Sequence, residues 1–151
     1  MPESIGYDRD HDRPLASSGI IDAKKMGIFL SDKNELPDLV ISSTANRAKT
    51  TAKTAMEEGK WLCPLVLEGG IYGGSPPFLL KLAREQNDKL SCICLVGHEP
   101  NFSNFISQST DNVYQLFPKA SMAKINFNVM SWKDITMGCG NLNWLVKPDE
   151  F

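Results

Sequence analysis

Two short apolar runs, "PDLVISS" (37–43) and "SCICLVG" (91–97), constrain the fold of this chain more than any other feature. Each is short for a core helix, and each leads into a stretch of helical character. Runs of this kind suit strands buried on both faces, which belong inside a sheet covered by helices. The segments around them complete the pattern. "SGIIDAKKMGIFLSDKN" (18–34) places Ile21, Met26, Phe29 and Leu30 on one helical face. "TANRAKTTAKTAMEEGK" (44–60) is an alanine-rich helix with Gly59 as its stop. "CPLVLEGGIYGG" (63–74) carries a strand and a glycine-rich turn. "SPPFLLKLAREQND" (75–88) is a helix with a serine cap and prolines in its first turn. "NFSNFISQS" (101–109) is a short helix. "SMAKINFNVMSW" and "NLNWLVKP" alternate as paired strands joined by "KDITMGCG". The polar stretch before Ser18 is expected to be loop. The pattern predicts one layered α/β domain over residues 1–151, with a mostly parallel sheet and an antiparallel C-terminal part.

Composition removes several function classes. A net charge of −2 and a pI near 5.7 provide no footprint for nucleic acid or an anionic membrane. No apolar stretch approaches the ~18 residues that span a bilayer, and the N-terminus has no signal-peptide core. A cytoplasmic protein is expected. Cys63, Cys92, Cys94 and Cys139 include no C-x-x-C pair and read as buried free thiols. With two histidines in the chain, no metal site and no cofactor are expected.

In sheets of this type, ligands sit beyond the carboxyl ends of the strands. Two such ends carry suitable chemistry. After "DLVISS", hydroxyls are followed by Arg47 in the first helical turn. An arginine beside unpaired backbone N–H groups favours phosphate. After "CICLVG" comes His98, able to bond a phosphoryl oxygen or a leaving group. Gly97 is expected to let the backbone turn sharply there, and Pro100 to fix the exit. Taken alone, Arg47 fits a solvated helix surface and His98 a core histidine. Their matching positions at two strand ends favour one shared site.

"DHDRPLASSGIIDAKKMGIFL", "PDLVISSTANRAKTTA", "CLVGHEPNFS" and "FPKASMAKINF" with "LNWLVKP" resemble, with their spacing, the SixA-type phosphohistidine phosphatases. These belong to the histidine phosphatase, or phosphoglycerate mutase-like, superfamily. The resemblance runs from about Asp10 to Pro148. It implies a three-layer α/β/α sandwich with a mostly parallel central sheet. It also implies a pocket of two arginines and two histidines, one histidine accepting the phosphoryl group before water removes it. By position Arg47 resembles the second arginine, His98 the second histidine, and Arg13 a further cation at the pocket mouth. Glu68 and Glu99 are the nearby acid candidates, although exposed glutamates on turns are the usual reading of such residues. The implied partner is a phosphohistidine protein, with a small phosphoester as the alternative.

The family's first strand ends in Arg-His, and "MPESIGYDRDHDRPL" holds no such strand or pair. The resemblance therefore implies an N-terminally incomplete domain without its nucleophile, expected to be inactive as it stands. A late start and a non-catalytic phosphate-binding relative are the two explanations. His11 is not expected to substitute. Asp10 and Asp12 flank it and favour the non-nucleophilic imidazolium, so surface loop or polar anchor for "DRPL" is its expected role.

Overall fold

A computed structural model describes residues 10–110 and 120–150. The Phe117-Pro118 part of the C-terminal motif lies outside the described residues. In chain order the elements are α1 (Ser17–Asp32), β1 (Leu39–Ser42), α2 (Asn46–Gly59), β2 (Leu65–Leu67), α3 (Pro76–Arg84), β3 (Ile93–Val96), α4 (Asn101–Thr110), β4 (Met122–Phe127) and β5 (Gly140–Val146). Residues 10–12, expected as loop, form helical backbone.

β1 is the central strand of a parallel sheet ordered β2-β1-β3. All four of its residues are buried, which is why the run carries no polar alternation. Val40 points into a core with Leu30, Ala52, Ala55 and Trp61. Leu39 and Ile41 face the other way, toward Ile71, Leu79 and Leu82. Helices α1 and α2 thus cover one face and α3 the other, giving the layered α/β architecture expected. β4 and β5 pair antiparallel as a ribbon, whose Met122 and Trp144 pack against the first core. The Glu35 carboxylate ties the ribbon down by accepting from Lys124 Nζ and, at 3.2 Å, from Trp144 Nε1.

Two details of the helical layer differ from the sequence expectation. The buried stripe of α1 is Ala23, Met26, Gly27 and Leu30, whereas Ile21 is 56% exposed. Small residues win the inner face because α1 meets α2 almost backbone to backbone. A Cβ on Gly27 would lie 2.2 Å from the Ala55 carbonyl oxygen. α2 ends at Gly59, as expected, but not with a left-handed glycine. Lys60 takes the left-handed cap at φ 57°, while Gly59 is buried against the Gly27 carbonyl. The Trp61 indole N–H donates to that carbonyl at 3.1 Å.

The register carries the functional consequence. Ser42 pairs with Val96 on one side and with Leu67 on the other. Parallel strands in this register bring all three carboxyl ends to one edge of the sheet. The loops that follow them must face one another.

A candidate phosphoryl-binding site

Each strand end contributes to one cluster. The loop after β1 supplies Ser43 and Thr44, and the first turn of α2 supplies Arg47. The Gly69–Ile71 turn after β2 leads to Tyr72. His98 follows β3 by two residues. Ser43 is fully buried; its N–H donates to the Val96 carbonyl at 2.9 Å, and its Oγ accepts from the Ala45 N–H at 3.1 Å. That fixed hydroxyl lies 2.8 Å from His98 Nε2, a pairing available to either imidazole tautomer. Gly97 does not adopt a positive φ. Its need is room: a Cβ would meet the Phe102 ring at 2.5 Å and Ile71 at 2.7 Å.

The Tyr72 ring joins the two histidines. It meets His98 edge-on at 5.4 Å between centroids and His11 at 5.0 Å. His11 is anchored with Nε2 2.9 Å from Thr44 Oγ1 and Nδ1 3.3 Å from Asp12 Oδ1. Of the two roles expected for His11, the anchor is the one its geometry fits. Asp10 is turned away from that ring. Its carboxylate accepts from the Tyr72 hydroxyl, lies 3.5 Å from Arg47 Nη2 and 3.3 Å from Arg13 Nη2, and its carbonyl accepts from Arg47 Nη1 at 2.7 Å. Arg47 and His98 therefore reach one cluster, meeting through Tyr72 and Asp10. Arg13, 60% exposed, stands at its rim.

Electrostatics follow from this arrangement. Burial, then the Arg47 charge, pushes the His98 pKa below its ordinary value, which favours neutral imidazole. The Tyr72 hydrogen bond, then the Arg47 and Arg13 charges, hold the Asp10 carboxyl below the usual carboxylate range. The two glutamates considered as acids serve as caps. Glu68 accepts from the Gly70 N–H at 3.0 Å, and Glu99 accepts from the Ser103 N–H at 2.8 Å and from its hydroxyl. Among the described residues no three His, Cys, Asp or Glu side chains are placed to hold a metal ion. The four cysteines are free and partly buried, and burial pushes the Cys94 thiol up to about 12. No described helix is long and apolar enough to cross a membrane.

An uncharacterized chloroplastic protein of Arabidopsis thaliana is 48% identical over 154 residues, a match that covers 93% of this chain and 70% of the plant protein. The chain belongs to that plant protein's family. The SixA-like fold is shown by solved structures. A SixA-type protein from Nakamurella multipartitia superposes with a TM-score of 0.83 at 22% identity, covering 93% of this chain and 87% of that one. The protein histidine phosphatase SixA complexed with tungstate superposes with a TM-score of 0.79 at 16% identity, covering 93% and 88%. No family model matches the sequence. Within this SixA-like domain, sequence reasoning located two strand ends and missed the third. Tyr72 lay inside "GGIYGGS", where glycines signalled only a turn. Asp10 lay in a run of charges that read as solvated loop.

Proposed function

We propose that this domain is a SixA-type phosphohistidine phosphatase domain whose described residues form the phosphoryl-binding part of the site. The observation that carries this reading is the convergence of Arg47 and His98 at adjacent strand ends, within a chain of SixA fold. Arg47 is a permanent cation suited to the equatorial oxygens of a phosphoryl group in flight. Neutral His98, oriented by Ser43, donates a hydrogen bond to a phosphoryl oxygen. Arg13 at the rim draws the anion in. The P–N bond of phosphohistidine is labile, so this site needs no strong separate acid. That agrees with the capping roles of Glu68 and Glu99.

A protein substrate is preferred to a small phosphoester because Arg13 at the rim is 60% exposed, where a phosphohistidine carried on another protein would reach it. The phosphoryl acceptor implied by the family is the histidine of an Arg-His pair, which residues 1–151 do not contain. The alternative reading is binding of phosphoryl groups without turnover. Titration calorimetry with tungstate, paired with release of phosphate from a phosphohistidine protein, tests both readings. Residues 1–151 are expected to bind tungstate, with binding abolished by Arg47→Ala and kept by Lys53→Ala on the exposed face of α2. Undiminished binding by Arg47→Ala would end the phosphoryl-site reading. Turnover by residues 1–151 would rule out binding alone.

A further inference from the structure

Three donors of this site converge on one carboxylate. Arg47 comes from α2, the Tyr72 phenol from the loop after β2, and Arg13 from the segment over the site. All three belong to the surroundings a phosphoryl group would occupy. We infer that Asp10 is a resident anion of this site, its carboxylate competing with a phosphoryl group for Arg47, Arg13 and Tyr72. The inference rests on the phosphoryl-site reading and adds a regulatory contact to it.

The chemistry of the contact supports competition. A phosphoryl dianion placed against the same guanidinium would lie beside the carboxylate and be repelled by it. Asp10 remains ionised wherever phosphate is a dianion, because Tyr72, Arg47 and Arg13 hold its pKa down. The segment is also attached in a way that can open. Beyond the Asp10 contacts, the described residues hold it through the edge-on His11–Tyr72 ring contact at 5.0 Å and two polar links, His11 to Thr44 at 2.9 Å and Asn46 Nδ2 donating to the Asp12 carbonyl at 3.0 Å. Residues 12–14 are exposed. Segments with few buried apolar contacts open at low cost. An arriving phosphoryl group takes the donors, and residues 10–13 lift away. Tyr72 then donates to the anion instead of to Asp10, which makes it a further binding residue.

The test is calorimetric titration of tungstate and of inorganic phosphate into residues 1–151, with thermal melting to check each variant. Asp10→Asn keeps the size of the side chain and one acceptor oxygen, and removes its charge. It is expected to tighten the tungstate Kd about five- to tenfold, the size of one charge removed near contact in a partly solvated site. Asp10→Glu, which keeps the charge, should stay within about twofold of the parent. Adding Tyr72→Phe to Asp10→Asn should give back about threefold or more. An unchanged or weaker Kd for Asp10→Asn, with binding still abolished by Arg47→Ala, overturns the resident anion and leaves the phosphoryl site standing. Loss of neither by Arg47→Ala overturns the site itself. Absence of binding in both parent and Asp10→Asn overturns the inference. Should Asp10→Asn fail to fold, the carboxyl carbon resonance of Asp10 in the parent decides. It must move as tungstate is added, and a still resonance overturns the proposal.

Discussion

Burial and the Arg47 charge both act against a proton on His98, so its folded-state pKa lies below the ordinary 6.5. The sign of the pH dependence follows by linkage. Above about 6.5 the imidazole is neutral in folded and unfolded chains alike, and stability is at its full value. As pH falls through 6.5 toward the lower folded value, the unfolded chain takes the proton first and the fold loses stability. Melting temperature is therefore expected to drop across that window, and to drop less in His98→Gln. An equal drop in both would remove His98 as the cause. Ser43→Ala makes a second case at this scale. The hydroxyl accepts from the Ala45 N–H while facing His98, and it is fully buried. Its loss leaves a buried N–H without that acceptor, costing about 1–2 kcal/mol in denaturant unfolding. It should also weaken tungstate binding by freeing the imidazole.

At the scale of elements, the contact between α1 and α2 is set by missing side chains. Gly27→Ala would place a methyl 2.2 Å from the Ala55 carbonyl and 2.7 Å from its Cα. Backbone cannot rotate aside as a side chain can, so the helices must separate, at a cost of roughly 2 kcal/mol or more. Tungstate affinity of the folded fraction should stay near the parent value, since Gly27 lies away from the strand ends. Gly97→Ala is the opposite case. Its methyl meets the Phe102 ring and Ile71, side chains that can shift, so the stability loss should be smaller. The displaced loop carries His98, and tungstate affinity should fall several-fold. The elements themselves were largely legible in the sequence. Alternation of apolar strand and amphipathic helix marks which residues are buried. The inner face of α1 was misread at Ile21 because a partner backbone, not apolarity, chose Ala23 and Gly27 for it.

Over the whole molecule, a net charge of −2 supplies no general attraction for anions, so anion binding must come from local cations. In the proposed phosphoryl site, arginines would take the part that metal ions take in many phosphatases. Tungstate affinity is therefore expected to be unchanged by EDTA and to weaken several-fold between low and high salt, as exposed Arg13 is screened. A Kd that rose on chelation and recovered with magnesium would contradict the arginine-based site.

Local pattern was enough to place Arg47 and His98 after buried strands, because a strand covered on both faces must be apolar and its polar end is conspicuous. It was enough, too, for the serine cap of α3 and for the C-terminal ribbon. What joins Arg47 to His98 was decided by tertiary structure alone. Tyr72 stands 62 residues from Asp10, and His11 stands 33 from Thr44. Those contacts exist because β2 and β3 both pair parallel to β1 in one register, bringing three loops to one edge. Periodicity records which face of an element is buried. What lies opposite that face depends on strand order and register, and no single stretch of this sequence contains either.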